Sequence, residues 1–190
     1  MLKDLGVLPG LFPMPVLMIG TYGEDGTVDV MNVAWGGICG EDLVALNLAP
    51  DHKTTANILA RKAFTVAIAD ADHIKEADFF GIATGNKMPD KFARSGLTAV
   101  KSTRVDAPVI QEFPVTLECE LVEAPETFGE IRVVGRIVNV LADEKVLDEK
   151  GKVDAGKLNA VMFDQFRHGY YAVGEKIAQA WNAGTVLMKK

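Results

Sequence analysis

The sequence predicts a mainly β protein, a closed antiparallel barrel with short helices over its ends. Apolar runs of strand length recur along the chain, turn residues join two of them at close range, and helical segments are few. A short hairpin connection forces antiparallel pairing, whereas parallel strands need a crossover of about a dozen residues or more. Because strands and helices do not alternate regularly, an antiparallel barrel fits the pattern better than a parallel sheet.

The first predicted strands form a hairpin. Residues 16–22 and residues 28–35 are apolar runs, and the Gly-Glu-Asp-Gly segment 23–26 between them is turn chemistry. Residues 64–68 alternate in the same strand-like way, with Phe64, Val66 and Ile68 on one face.

Two further strands are predicted in the second half of the chain. Residues 115–121 alternate between apolar and polar side chains, which indicates one wet face and an inward-pointing Cys119. Residues 131–141 are rich in valine and isoleucine but alternate poorly. We therefore expect both faces of that strand to be at least partly covered, by core on one side and by a helix or a second subunit on the other.

Helical patterns cover residues 54–62, 72–83, 89–94 and 174–183. Pro89 suits a first helical turn, and Gly96 suits the exit from it. The connection over residues 84–114 is long and irregular, and long ordered loops often carry function.

Composition narrows the class of protein. The chain has 190 residues, of which 48% are hydrophobic and 24% charged, so residues 1–190 can form a single domain with a proper core. A net charge of −6 and a pI near 5.1 argue against a nucleic-acid partner. No apolar run is long enough to span a membrane, and the N-terminal Met1-Leu2-Lys3-Asp4 does not have the basic start and continuous apolar stretch expected of a signal peptide. Two cysteines, Cys39 and Cys119, are too few for a disulfide framework, so we expect a cytoplasmic protein.

Familiar catalytic motifs are missing from the sequence. The three histidines, His52, His73 and His168, are scattered, and there is no G-x-S-x-G, HExxH, P-loop or G-x-G-x-x-G pattern. A chain without obvious catalytic side chains favours a bound cofactor that supplies the reactive atoms.

Residues 51–57 predict an anion site at the start of a helix. Either Thr54 or Thr55 can act as the N-cap, and Asn57 lies in the first turn, where backbone N–H groups lack partners and the helix dipole is positive. Lys53 adds a positive charge, so the segment suits a phosphate. The alternative, favoured on this segment alone, is plain capping of the helix by a threonine.

Asn32 lies on the apolar face of its predicted strand, where an amide needs hydrogen-bond partners. It either bonds to neighbouring backbone or meets the edge of a heteroaromatic ring. Trp35 either offers an aromatic surface to a flat ligand or belongs to the core, with equal weight. Gly36 and Gly37 allow another backbone or a ligand to approach closely.

Several short motifs follow one another in order over nearly the whole chain. They are Pro13-x-Pro15-Val16, Asn32-Val33-Ala34-Trp35-Gly36-Gly37-Ile38-Cys39, Lys53-Thr54-Thr55-Ala56-Asn57-Ile58, Lys75-Glu76-Ala77-Asp78-Phe79-Phe80-Gly81-Ile82-Ala83, Asp90-Lys91-Phe92-Ala93 and Gly169-Tyr170-Tyr171. Together they resemble the flavoredoxins, within the FMN-binding split-barrel, flavin reductase-like proteins.

The resemblance implies an antiparallel, Greek-key-like split β-barrel that binds FMN as a homodimer, with the flavin near the subunit interface. The implied contacts are the isoalloxazine ring for Asn32, Val33, Ala34, Trp35, Asn47 and Leu48, and the phosphate for Lys53, Thr54, Thr55 and Asn57. Lys91 would reach the ring region, and Phe163 would close over the ring, from the same or the second subunit. From the residues alone, Lys91 fits better as a solvated helix lysine and Phe163 fits as core.

One position departs from the resemblance. Relatives often have a histidine near the start of the late strand, where this chain has Gly129-Glu130-Ile131. A carboxylate cannot donate as an imidazole can, and its charge would disfavour a negatively charged reduced flavin. We therefore expect Glu130 to lower the reduction potential of the flavin.

The implied function is electron transfer through FMN to a redox partner protein or to free flavin. The family includes electron carriers and NAD(P)H-dependent flavin reductases, and the resemblance to flavoredoxins favours the carrier. Whether the protein is an enzyme stays open, because no residue marks a nicotinamide site. A cofactor-free structural or dimerisation barrel is the alternative of another class.

Overall fold

The computed structural model describes residues 1–188, which form thirteen strands and four α-helices. The strands are β1 (Met14–Pro15), β2 (Leu17–Tyr22), β3 (Val28–Val33), β4 (Gly36–Ile38), β5 (Leu43–Leu48), β6 (Ala63–Ile68), β7 (Ala99–Lys101), β8 (Pro108–Ile110), β9 (Val115–Glu123), β10 (Glu126–Thr127), β11 (Glu130–Ala142), β12 (Val161–Asp164) and β13 (Gly169–Ala172). The helices are α1 (Lys53–Arg61), α2 (Ile74–Ile82), α3 (Lys91–Ser95) and α4 (Ala155–Leu158), and short 3-10 turns lie at Glu144–Val146 and Thr185–Met188.

The main sheet is antiparallel and curls back on itself. Its strand order is β3-β2-β6-β9-β11-β5-β4, with β10 paired to β11 beside this path. The two edge strands, β3 and β4, are consecutive in the chain and are separated only by Ala34 and Trp35. Three Cα steps span at most about 11 Å, so the two edges must come together. Among the described strands β4 pairs only with β5, which leaves the barrel split at this seam.

Apolar side chains form one cluster inside the barrel and another outside it. From β2, Leu17 and Ile19 join the inner cluster, which includes Phe64 and Cys119. Val16 and Met18 belong to the outer cluster, whose other members are Val30, Ala67, Ala69, Ala77, Phe80, Ile110, Phe113 and Val161. Both faces of β2 are therefore buried, which explains its continuous apolar sequence.

The predicted strands of the first half are confirmed. β2 and β3 form a hairpin with Tyr22 opposite Val28, and β6 covers the strand predicted at 64–68. β6 differs from the prediction in that both its faces are buried, because Phe64 and Val66 join the inner cluster and Ala67 joins the outer one.

The predicted wet face of the strand at 115–121 is wrong over its first part. Thr116 is buried, and Glu118 is only 1% exposed. Asn139 Nδ2 donates to Glu118 Oε2 at 2.6 Å, and the Ser102 hydroxyl donates to Glu118 Oε1. The alternation is real, but on its polar side Glu118 belongs to an internal hydrogen-bond network with Ser102 and Asn139.

Cys119 is fully buried, as predicted. Desolvation, with the charge of the neighbouring Glu118 as the smaller cause, raises the pKa of the Cys119 thiol to about 12. A thiol in this environment is inert at neutral pH.

β11 confirms the strand predicted at 131–141. Ile131 and Val133 are buried, whereas Val138 and Val140 are 40% and 51% exposed. Within residues 1–188 no helix packs over Val138 and Val140, so cover by a second subunit stays a prediction.

The helix predicted at 174–183 is wrong. Residues 173–179 are irregular and exposed, and Ile177 and Trp181 are each 98% exposed. A short helix that packs against nothing is marginal in water, and no core in the described chain takes up these side chains.

The other predicted helices are present. α2 begins and ends within the predicted 72–83, and α3 begins at Lys91, with Pro89 in the turn before it. Gly96 ends α3 in the left-handed conformation, with φ at 73°. The connection at 84–114 is less irregular than predicted, since it also contains the β7–β8 ladder.

Across the described helices, none has the length and apolarity that crossing a bilayer demands.

The seam explains the glycine at position 36. A Cβ on Gly36 would lie 2.6 Å from Leu46 Cδ2 and 3.2 Å from Leu17 Cδ1, whereas a Cβ on Gly37 would meet nothing within 4 Å. We expect Gly36→Ala to lower the free energy of unfolding by about 1–3 kcal/mol through overpacking. Gly37→Ala, the matched control, should change it by less than about 0.5 kcal/mol. Urea denaturation measures both, and equal losses would contradict the packing assigned to the seam.

Candidate functional site

The start of α1 has no threonine cap, so that part of the prediction is wrong. The N-cap residue is His52, whose side chain makes no capping hydrogen bond. Thr54 Oγ1 donates to Asp29 Oδ2 at 2.6 Å, and Thr55 Oγ1 donates to the carbonyl of Ala49 at 2.9 Å. Both threonines lie within the first turn of α1, past the N-cap position, and the N-cap residue His52 makes no capping hydrogen bond, so the N–H groups of the first turn lack a side-chain cap.

A cavity of about 120 Å³ lies at this helix start. Its lining residues are Met31, Asn32, His52, Lys53, Thr54, Phe80, Gly81, Ile82, Ala83, Thr84, Gly85 and Lys91. The structure thus brings together four predicted site residues, Asn32, Lys53, Thr54 and Lys91. The cavity has room for several water molecules and for an anion of phosphate size.

The cavity is electropositive. Lys53, Lys91 and the N-terminus of α1 contribute positive charge, and none of the lining residues is acidic. Gly85 lets the loop after α2 come close, because a Cβ there would lie 2.5 Å from Asp29 Oδ1 and 3.0 Å from Lys53 Cδ.

Lys91 is not the solvated helix lysine that its sequence position favours. It is 3% exposed, and its Nζ lies 2.9 Å from Asp29 Oδ1 and donates to the carbonyl of Ala83 at 3.4 Å. A buried ammonium requires a counter-charge, which Asp29 supplies. The sequence does not predict Asp29, since its position between Val28 and Val30 has the alternation of a wet face.

Thr55 and Asn57 lie in the packed interior beside the cavity and are not among its lining residues. Asn57 Nδ2 donates to Thr21 Oγ1 at 3.0 Å. Their side chains hold α1 against β2 and the β5–α1 connection.

Trp35 lies in a second, larger cleft of about 390 Å³ at the barrel seam. It is 50% exposed, so the core alternative is wrong. Ala34 and Asn47 line the same cleft, and the backbone N–H of Asn47 donates to the carbonyl of Trp35 at 2.9 Å. Cys39 and Arg132 also line it. The sequence does not predict Arg132 here, because only the pairing of β11 with β5 places it opposite Asn47.

Asn32 bonds to backbone, as the first of its two alternatives predicts, and its contact with a heteroaromatic ring stays a prediction. Its Nδ2 donates to the carbonyl of Ala77 at 3.0 Å and to Tyr170 Oη at 3.5 Å. Tyr170 Oη in turn donates to Asp78 Oδ1 at 2.9 Å. Desolvation, followed by the hydrogen bond to Asp78 and its charge, raises the pKa of Tyr170 to about 12, which keeps this hydroxyl a donor.

The remaining predicted residues belong to the packed clusters. Val33 and Leu48 are members of the inner cluster. Phe163 packs against the outer cluster, and its ring stacks on His168 with the centroids 6.2 Å apart. None of the three lines either of the two cavities.

The fold and the site together define a split-barrel protein with an electropositive cavity at a helix start and an aromatic cleft at the seam. The family model described as the flavin reductase like domain matches residues 9–167. The chain belongs to this family, as its motifs predict.

Solved structures agree with this assignment. Flavoredoxin of Desulfovibrio vulgaris (Miyazaki F) is 37% identical and superposes with a TM-score of 0.92, covering 97% of this chain and 100% of its own. Flavoredoxin from Methanosarcina acetivorans is 24% identical with a TM-score of 0.88, over 98% of this chain and 100% of its own. An FMN-binding protein from Thermus thermophilus, solved with bound 1-cyclohex-2-enone, is 21% identical with a TM-score of 0.77, over 94% and 99%. At identities below 25%, the last two structures show only that the fold is shared.

Proposed function

We propose that this protein binds FMN and transfers electrons through it. The observation that carries the proposal is the uncapped start of α1, which faces a small electropositive cavity containing Lys53. One stretch of chain connects this cavity with the larger cleft: Met31 and Asn32 line the cavity, and Ala34 and Trp35 line the cleft. A ligand with one anionic end and one flat aromatic end matches that arrangement.

The residues present fit FMN. Free N–H groups at a helix start together with a lysine form the donor set that a phosphate needs. The half-exposed Trp35 offers an aromatic surface, and the exposed Asn47 offers amide hydrogen bonds to a ring edge. We assign Lys91 to the phosphate end, because it lines the same cavity as Lys53. When bound, FMN supplies the redox chemistry that the side chains of this chain lack.

FMN binding is tested with purified protein and two lysine variants. We expect a yellow preparation, or uptake of FMN by the colourless protein. Lys53→Met should weaken FMN binding by roughly tenfold or more, since a charge-assisted hydrogen bond contributes about 1.5–3 kcal/mol. Riboflavin, which lacks the phosphate, should bind both forms equally, and the exposed Lys150→Met should leave both affinities unchanged. Fluorescence titration measures the dissociation constants. Wild-type protein that takes up no FMN would support the cofactor-free structural barrel.

We assign the protein as an electron carrier that serves a protein partner or free flavin. This is supported by its 37% identity to the flavoredoxin of D. vulgaris.

The carrier assignment predicts slow oxidation of nicotinamides. We expect FMN-loaded protein to oxidise NADH and NADPH well below about 1 s⁻¹, the lower end of typical enzyme turnover. Stopped-flow absorbance after addition of excess FMN measures the rate. Chemical reduction followed by reoxidation with an external acceptor is the control that the bound flavin is redox-active. Rapid oxidation of either nicotinamide would favour the flavin reductase.

We infer that the protein is a homodimer. Val138 and Val140 form an exposed apolar strip on β11, and Ile177 and Trp181 in the C-terminal segment are almost fully exposed. These apolar side chains are available for burial against a second copy of the chain. The resemblance to the flavoredoxins implies a homodimer in which Phe163 closes over the flavin ring, from the same or the second subunit.

The dimer is tested by molar mass in solution. Light scattering should give twice the 20.5 kDa of one chain. Val140→Glu should shift the equilibrium towards monomer, because it buries a charge in an apolar contact. The matched control is Val153→Glu, at a site that is 43% exposed and away from β11. A monomeric wild type, or equal effects of the two variants, would contradict the interface.

We place the protein in the cytoplasm. Cys39 is exposed and Cys119 is buried, and neither is in a disulfide. Free thiols of this kind fit a reducing compartment.

A further inference from the structure

Asp29 lies beneath the electropositive cavity and connects its walls. The side chain is 2% exposed. Its Oδ2 accepts from Thr54 Oγ1 of α1 at 2.6 Å, and its Oδ1 lies 2.9 Å from Lys91 Nζ of α3. Its backbone carbonyl accepts from Thr21 Oγ1 at 3.4 Å, and that hydroxyl accepts from Asn57 Nδ2. A single carboxylate therefore connects β3 with two helices of the site.

The loop after α2 rests on the same carboxylate. Gly85 comes so close that a Cβ there would lie 2.5 Å from Asp29 Oδ1. Lys91, held by Asp29, also donates to the carbonyl of Ala83 in this loop. Movement of Asp29 would therefore affect three walls of the cavity together: α1, α3 and the loop after α2.

Asp29 also determines the charge that a ligand meets. Lys53 and Lys91 line the cavity, whereas Asp29 lies behind the lining. The carboxylate offsets the charge of Lys91, so the net positive charge comes from Lys53 and the helix start. At separations of a few ångströms in a partly buried site, one unit charge changes anion binding by about tenfold or more.

We propose that Asp29 is a positioning residue and an internal counter-anion, which sets the preference of the site for phosphorylated over unphosphorylated flavin. This rests on the proposed binding of FMN. Asp29 accepts the hydrogen bond of Thr54 and so fixes the first turn of α1, whose N–H groups have no side-chain cap. It also allows the Lys91 ammonium to be buried. The cavity is thereby formed before a ligand arrives, while the affinity for phosphate is held below its electrostatic maximum.

The test is a charge cycle over Asp29 and Lys91. Asp29→Asn keeps the shape of the side chain and removes its charge, Lys91→Met removes the opposite charge, and the double variant removes both. The readout is the affinity for FMN divided by the affinity for riboflavin, both from fluorescence titration. We expect this ratio to rise about tenfold in Asp29→Asn, to fall about tenfold in Lys91→Met and to return to within about threefold of wild type in the double variant.

Thermal unfolding without flavin gives an independent readout. Each single variant leaves a buried charge unpaired and should have a lowered Tm, whereas the double variant should recover much of the loss. Asp72→Asn, at an exposed site outside the cavity, should change neither the Tm nor the affinity ratio.

Each outcome either supports or overturns the proposed role of Asp29. A lowered Tm with an unchanged affinity ratio in Asp29→Asn would show a merely structural aspartate and overturn the proposal. If Asp29→Asn does not fold, the double variant must still exceed Lys91→Met about tenfold in the affinity ratio, and equal ratios would overturn the proposal. If wild-type protein binds neither FMN nor riboflavin, the proposed function fails together with this proposal. That result is distinguishable from an unchanged affinity ratio, because an unchanged ratio requires measurable affinities for both flavins.

Discussion

The structure depends on the closure of one sheet between two strands that follow each other in the chain. β3 and β4 are opposite edges of the sheet, yet only Ala34 and Trp35 separate them. The five intervening strands must therefore curve until the edges approach each other, and the enclosed space becomes the inner apolar cluster. The junction itself has no ladder, so its residues are left at the surface. Trp35 is exposed at this point because it bridges a seam that the barrel geometry cannot pair.

The electropositive cavity depends on a different interaction, the buried pair of Asp29 and Lys91. Removing two charges from water is unfavourable, and such pairs often stabilise a fold less than apolar residues of the same size would. Because the pair of Asp29 and Lys91 is a weak source of stability, we interpret it as a means of positioning the side chains of the cavity. Here it places an ammonium at a cavity wall, and its carboxylate also accepts the hydrogen bond of Thr54 in the first turn of α1.

The sequence predicts the local features well and the long-range contacts poorly. The hairpin of β2 and β3 and the exit of α3 at Gly96 are set by neighbouring residues, and both are present. Glu118 has the spacing of a solvated residue but is buried, because Ser102 and Asn139 reach it from distant segments. The helix predicted at 174–183 is absent for the converse reason, since a pattern in the sequence does not supply a surface to pack against.

The two parts of the proposed flavin site differ in size and in exposure. The cavity at α1 is small and formed by buried residues, which suits holding one end of a ligand in place. The cleft at the seam is larger and more open, and Arg132 is the charged residue that lines it. Glu130 lies two positions earlier on the same face of β11 and is also exposed, so the carboxylate and the guanidinium act on this region with opposite signs. A lowering of the flavin potential by Glu130 would be offset in part by Arg132, and solvent would screen the more distant charge more strongly. In the proposed flavin site, Arg132 and Glu130 would therefore shift the potential in opposite directions.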